Sequence, residues 1–288
     1  MYGPPAILYK YLAPARLDAL TESKLRFSPL SAFNDPFEGR PDITDLAPEG
    51  ALEKAVWDGL PAMLEEEYHK APEQIRSLVT VEQFVAMCMA DPTGIVSNLL
   101  NQAKPITARL AKSLPDMLNE HVGTLCLTEI PDSLLMWAHY GASHTGFVVG
   151  FDTSNSFFHC PRSDKDEFHH LRRVSYRATR PGGALLDLDS PELFLCKSEH
   201  WSYENEWRIL KPLKEASSVI SLPSGDVHLF SFPREAIKSV TLGMRAEDSL
   251  RAALRKEISA QPEFQAVELY EAYADKTNYC VRRSRVAL

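Results

Sequence analysis

The stretch GTLCLTEIPDSLLMWAHYGASHTGFVVGFD (Gly123–Asp152) decides the fold class. Its opening, GTLCLTE, is a short apolar run of the kind that forms a buried strand. IPDSLLMWAHYG follows with a capping residue at Asp132 and a terminating Gly141, which predicts one short helix. GFVVGFD then reads as a second buried strand.

Outward from this stretch the same texture recurs. AILYKY (Ala6–Tyr11) places Ile7, Tyr9 and Tyr11 on one side of a short strand. A helix over 13–24 and a strand Leu25–Ser28 follow, then FNDPFEG, an ordered polar loop in which Pro36 pushes Asp35 out of the helical region. Later strands are expected at LRRVSY (Leu171–Tyr176), NEWRIL (Asn205–Leu210), DVHLFSF (Asp226–Phe232), KSVTLG (Lys238–Gly243), AVELYEAY (Ala266–Tyr273) and NYCVRR (Asn278–Arg283), with helices at 191–200 and 246–258. Few regular strand–helix–strand units occur, so the expected class is α+β, a single domain over 1–288. Within it, residues 50–121 repeat apolar positions at helical spacing between Pro72, Pro92 and Pro105, and predict a helical insertion. Its Trp57, Leu64 and Phe84 are expected to face a core.

The 288 residues carry 31 Lys+Arg against 39 Asp+Glu, a net charge of −8, so any contact with nucleic acid has to be local. No apolar run approaches a membrane span of about 18 residues, and MYGPPAILYK has no signal-like pattern; a cytoplasmic protein with no membrane partner is expected. The five cysteines (Cys88, Cys126, Cys160, Cys196, Cys280) show no CxxC spacing and are expected to be reduced.

Several chemistries are missing from the text of the chain. Neither GxGxxG nor GxxxxGK[ST] occurs, which argues against a Rossmann site or a P-loop. GASHTG (Gly141–Gly146) has Thr145 where a nucleophile elbow needs glycine. His139 with His144, and His169 with His170, lack metal-ligand spacing and are expected in exposed basic loops; no metal ligands are assigned.

Two segments place polar groups among aromatics: SLLMWAHYG and WSYENEWRIL. In the second, strand alternation puts Glu204, Glu206 and Arg208 on one face. Two carboxylates so close repel each other unless Arg208 or another cation offsets them. Such a face belongs either in water or in a site.

Together LYKY, FNDPFEG, CLTE…SLLMWAHYG…GFVVGFD and WSYENEWRIL resemble a bacterial family of unknown function marked by NDPFE and E-x-E-W-R. More distantly, the order LYKY, short helix, SKLRFSP, GTLCLTE, Ser, Tyr, NEWRIL is similar to the ADP-ribosyltransferase fold of the poly(ADP-ribose) polymerase type. That resemblance implies a mixed, split sheet and NAD as substrate. It places Lys10 at the family's histidine and Tyr11 at the following glycine, with Tyr9 beside them; Ser133 falls at the helix serine, Tyr140 near the nicotinamide-stacking tyrosine and Glu206 at the catalytic glutamate. The chemistry of breaking a nicotinamide–ribose bond assigns further roles: Tyr140 or Trp137 stacks on the nicotinamide with His139 as another cofactor-binding residue, Asn34, Asp35 and Glu38 contact ribose hydroxyls or position the acceptor, Glu204 orients or deprotonates the acceptor, and Arg208 balances charge or binds pyrophosphate.

The implied activity is cleavage of the nicotinamide–ribose bond of NAD and transfer of ADP-ribose to an acceptor: a protein side chain, a nucleotide or a base in single-stranded nucleic acid. A toxin or defence role follows by analogy. Two alternatives stand beside it. A lysine at position 10 cannot accept a hydrogen bond as neutral imidazole does, which suits a non-catalytic nucleotide-sensing or protein-binding module; a metal-dependent hydrolase or nuclease would use Glu204, Glu206, Asp35 and a histidine. A homo-oligomer is left open.

Overall fold

The computed structural model describes residues 3–188 and 192–287. The chain is α+β. Its strands, in chain order, are β1 Ile7–Leu12, β2 Lys24–Phe27, β3 Asp42–Asp45, β4 Val122–Thr128, β5 Phe147–Asp152, β6 Arg172–Arg173, β7 Ser175–Arg177, β8 Gly182–Ala184, β9 Cys196–Ser198, β10 Glu206–Pro212, β11 Ser218–Leu222, β12 Gly225–Ser231, β13 Ile237–Leu242, β14 Glu268–Ala274 and β15 Val281–Arg285. The helices are α1 Asp18–Thr21, α2 Ala51–Lys70, α3 Glu73–Arg76, α4 Val81–Ala90, α5 Thr93–His121, α6 Leu134–His139, α7 Glu192–Leu195 and α8 Asp248–Ala260. The chain divides into two compact units: Met1–Arg40 with Leu118–Arg180 and Phe194–Leu288, and Pro41–Met117 with Pro181–Leu193.

The first unit is built on an eight-stranded sheet in the order β15-β14-β13-β5-β1-β4-β10-β6. Neighbours are antiparallel except β13 and β14, a parallel pair that α8 connects. The apolar runs LCL and FVV explain why β4 and β5 lie inside the sheet, buried on both faces. On one face Leu8, Leu127, Ile209 and Val240 join Leu250, Leu254 and Ile258 of α8 in the main core. Burial of each such leucine contributes about 1.5–3 kcal/mol. On the other face Tyr11, Val148, Ala272 and Val281 pack against Met136 and Trp137 of α6. The smaller sheet β11-β12-β2 is tied to β4 where Ser28 and Thr124 exchange backbone hydrogen bonds of 3.1 and 2.8 Å.

The sheet opens between its fifth and sixth strands, β1 and β4. β1 pairs with β5 from Ile7↔Asp152 to Leu12↔Phe147, and β10 with β4 from Glu206↔Thr128 to Pro212↔Val122. Between β1 and β4 the register holds at Tyr9↔Thr128 alone. Past that point the Cys126 carbonyl accepts a hydrogen bond from Lys10 Nζ at 2.9 Å, a side chain supplying the donor that a neighbouring strand would have provided.

The second unit holds α2, α3, α4, most of α5 and the parallel pair β3–β8. Leu60, Leu64 and Val96 form its buried cluster with Phe84 packed alongside, whereas Trp57 is 39% exposed and does not face that core as expected. Pro72 and Pro92 fall at helix breaks, but Pro105 does not: α5 runs through it and through Pro115. The break at Pro92 coincides with capping chemistry, Asp91 accepting from the Thr93 hydroxyl at 2.9 Å, and a reciprocal capping box of Thr80 and Gln83 starts α4, whereas the break at Pro72 has no side-chain cap.

Other local expectations shift for similar reasons. The cap of α6 is Ser133, whose hydroxyl accepts from the Met136 N–H at 3.3 Å, and not Asp132. Residues 191–200 do not form one helix: Pro191 lies outside the described residues, α7 ends at Leu195, and β9 then pairs in parallel with β7. The Gly182–Gly183 stretch contributes β8. Among the described residues no helix is long and apolar enough to cross a membrane.

Candidate functional site

Strand alternation from NEWRIL placed Glu204, Glu206 and Arg208 on one face, and the three do converge, by a different route. Glu204 ends a 3₁₀ segment, Glu199–Glu204, and Asn205 turns the chain through a left-handed conformation (φ 42°) that asparagine tolerates better than most residues. β10 therefore starts at Glu206. The Glu206 N–H donates to the Tyr176 hydroxyl at 2.9 Å, and Thr128 Oγ1 donates to the Glu204 carbonyl at 2.5 Å, which fixes both glutamates against the sheet.

Both side chains are almost wholly buried, so their charges must be met inside the protein. Lys197 of β9 does this, its ammonium lying 2.6 Å from Glu204 Oε2 and 3.0 Å from Glu206 Oε2. Arg208 grips Glu206 with two nitrogens, Nε to Oε1 at 2.7 Å and Nη2 to Oε2 at 3.0 Å. It also donates to the Phe194 carbonyl at 2.5 Å and to Glu38 of the NDPFE loop. The Tyr140 hydroxyl completes the chain, donating to Glu204 Oε1 at 2.7 Å.

The protonation tendencies follow from this packing. Burial raises Glu206, Lys197 opposes the rise and Glu204 adds to it. Burial alone would lower Lys197, but Glu206 and Glu204 reverse the sign and hold it as a cation. Burial pulls Arg208 down to about 9, still charged at neutral pH. Burial lowers Lys10 as well, with Cys126 and Glu206 pulling the other way, and burial drives Tyr140 upward, reinforced by Glu204. Tyr140 thus stays a proton donor.

Lys10, Tyr140, Lys197, Glu204 and Glu206 line a cavity of about 380 Å³, within the size range of small-ligand sites. Of the residues singled out in the sequence, Tyr9, Lys10, Tyr11, Asn34, His139, Tyr140, Glu204 and Glu206 line it. Four lie elsewhere. Ser133 caps α6 and donates its N–H to the Tyr11 hydroxyl at 3.2 Å. Trp137, fully buried, meets Tyr11 edge-on at 5.2 Å and stacks with His144, so it braces the wall. Arg208 sits behind Glu206 with no exposed surface. Asp35 is in a neighbouring groove.

Lys197 was missed, although the site depends on it. Its neighbourhood, LFLCKSEH, reads as the end of an apolar helix, and β9 is only three residues long. The signal available was electrostatic: two adjacent buried glutamates call for a cation beyond Arg208. Phe33, Cys126, Thr128 and Met136 also line the cavity. The histidine expectation fails in part, since His144 and His169 are buried.

Residues 136–209 match the model of a family described as "Protein of unknown function (DUF2971)". The matched segment carries Met136, His139 and Tyr140 of α6, Lys197, and both glutamates. No curated protein and no solved structure matches the chain.

Proposed function

We propose that the cavity binds NAD and cleaves its nicotinamide–ribose bond, passing ADP-ribose to an acceptor. The supporting observation is the pair Glu204 and Glu206, both hydrogen-bonded to Lys197 in a cavity walled by Tyr9, Tyr11 and Tyr140. Departure of nicotinamide leaves positive charge spread over ribose C1′ and the ring oxygen, and a fixed carboxylate stabilises charge that develops only in that transition state. Glu206 supplies it. The tyrosines offer faces for the leaving ring, and without another acceptor ADP-ribose passes to water. Glu204, which accepts from Tyr140 and Lys197 and retains unused lone pairs, is placed to take a proton from the acceptor. The acceptor is a protein side chain, a nucleotide or a base in single-stranded nucleic acid. Lys197 lies between the two carboxylates where a divalent cation would otherwise bridge them, which favours this chemistry over a metal-dependent hydrolase.

The test is free nicotinamide released from NAD by the purified chain, measured by chromatography with and without chelator. Release that survives chelation and falls about 100-fold or more in Glu206→Gln is expected. Undiminished release in that variant would overturn the assignment.

A second reading rests on a specific contact pattern: both oxygens of Glu206 are already held, by Arg208 and Lys197. A carboxylate so engaged suits a nucleotide-sensing module with no turnover. That reading predicts a higher melting temperature with NAD and no nicotinamide release.

A further inference from the structure

Two lysines line the cavity, and they are held in opposite ways. Lys197 is gripped by Glu204 and Glu206 at 2.6 and 3.0 Å, which keeps it a cation with its protons engaged. Lys10 has no such partner. Among the described residues its nitrogen makes one hydrogen bond, to the Cys126 carbonyl at 2.9 Å, and no ion pair.

The position of Lys10 in β1 explains the difference. Strand alternation puts it on the face of Leu8 and Leu12, and its partner across to β5 is Val149; all three of these neighbours are buried in the main core. Its aliphatic stem therefore starts against the core, and the nitrogen reaches the Cys126 carbonyl where β1 and β4 part. An ammonium in such a place is costly without an acid beside it, whereas a neutral amine gives one N–H to the carbonyl and keeps its lone pair. The surroundings favour the neutral form. Burial lowers the pKa of Lys10; Cys126 of β4 and Glu206 of β10 pull upward, Arg16 after β1 pulls down again and Glu204 pulls upward, and the net shift is downward.

A lysine freed of its proton by an apolar setting is a nucleophile toward carbonyl carbon. An anion drawn to Lys10 would meet Glu204 and Glu206 in the same space, whereas a neutral carbonyl compound meets no like charge. Phe33, Tyr11, Met136 and Tyr140 wall the cavity and suit a flat, apolar body.

We propose that Lys10 condenses with an aldehyde or ketone carried on a flat, largely apolar body, forming an imine in the cavity. The nitrogen lone pair attacks the carbonyl carbon, and the C=O π pair moves to oxygen. Both amine protons pass in turn to that oxygen, which leaves as water when the carbinolamine C–O bond breaks, and a C=N bond remains. Glu204 and Glu206 line the same space and can carry the protons from nitrogen to oxygen. The inference goes beyond NAD cleavage and needs no dinucleotide.

The probe is benzoylacetone, an aromatic 1,3-diketone whose adduct with a neutral amine loses water to give a stable enaminone, so no reductant is needed. The full chain is treated near neutral pH and the adduct is mapped by peptide mass spectrometry. Lys10 is expected to react about tenfold or more faster than any other lysine, because each unit of lowered pKa exposes about tenfold more free amine. Its rate is expected to rise with pH through a midpoint below the ordinary lysine value of about 10.4. Lys10→Arg keeps the charge and a donor to Cys126 but cannot condense, and is expected to remove the fast adduct. Lys10→Met, with a stem of similar length, is expected to do the same, the melting temperature reporting the fold of each variant. Reaction no faster than at exposed lysines, a midpoint at or above about 10.4, or a fast adduct that survives Lys10→Arg would each overturn the proposal. Nicotinamide release is read separately, so failure of either assignment leaves the other standing.

Discussion

Glu206 and Asp166 each sit in a network of acids and bases within the sheet-bearing unit, yet their protons are held in opposite ways. Glu206 takes three charged donors from Lys197 and Arg208, and its pKa still rises, because burial outweighs them. Asp166 lies in the loop before β6. Burial works to raise it, but the Arg162 and Phe168 N–H groups at 2.8 Å each, with His169 Nδ1 at 2.8 Å, hold it far below the ordinary carboxylate range. Its network continues outward through His169 to Glu215 and to Arg162, which is 62% exposed. Glu215 is depressed in the same way, His169 and Arg162 overcoming its burial. The number of partners does not separate these cases. What separates them is that one network ends in solvent and the other ends in a cavity, so only the second presents its acids and bases to a space that a ligand could enter, at a cost in stability.

The largest test of this difference is loss of the central cation. Arg208→Met leaves Glu206 and Glu38 buried with only Lys197 between them, at 3.0 and 3.7 Å, and is expected to destabilise the fold by about 3–5 kcal/mol in urea unfolding. Arg162→Met, at the wet end of the other network, is expected to cost less than about 1 kcal/mol. Similar losses would break the distinction. A smaller effect is expected from Tyr140→Phe, which removes one hydrogen bond to a charged carboxylate, worth about 1.5 kcal/mol by the same measurement.

The pH dependence is subtler and carries a sign. Asp166 has a lowered folded pKa, so its stabilisation is present above its unfolded value of about 3.9 and is lost as the pH falls through its folded value. Glu206 has a raised folded pKa, so its contribution is full below its unfolded value of about 4.3 and is lost as the pH rises through its folded value. Asp166→Asn is therefore expected to flatten the acid limb of a stability profile, and Glu206→Gln to flatten the limb above it. Denaturation midpoints from pH 3 to 8 decide this, and shifts confined to the same limb in both variants would remove the contrast.

Much of the site's inventory was legible in the chain because it sits in strands with simple alternation. Tyr9 and Tyr11 on β1 and Glu206 on β10 needed only a period of two, and FNDPFEG announced an ordered polar loop that brings Asn34 to the cavity and Glu38 to Arg208. Trp137 falls in the expected helix and Ser133 at its cap, and neither lines the cavity. Periodicity says which element a residue belongs to, whereas the Tyr11 ring at 5.2 Å is what turns Trp137 into a brace. The second unit shows the same limit: apolar spacing gave its helices, but proline alone did not give their ends.

Local composition was enough for the α+β class, the buried strands β4 and β5, and the clash of two neighbouring glutamates, since strand propensity, burial preference and like-charge repulsion all act over a few residues. The answer to that clash lay outside local reach. Lys197 comes from a three-residue strand whose place is set by a parallel partner at Ser175–Arg177, and Glu38 comes from a loop 170 residues from the arginine it binds. Contacts over such separations leave no period in a sequence. They exist only once the sheet has brought the elements together, and the sign of each buried charge is settled there by the charges that surround it.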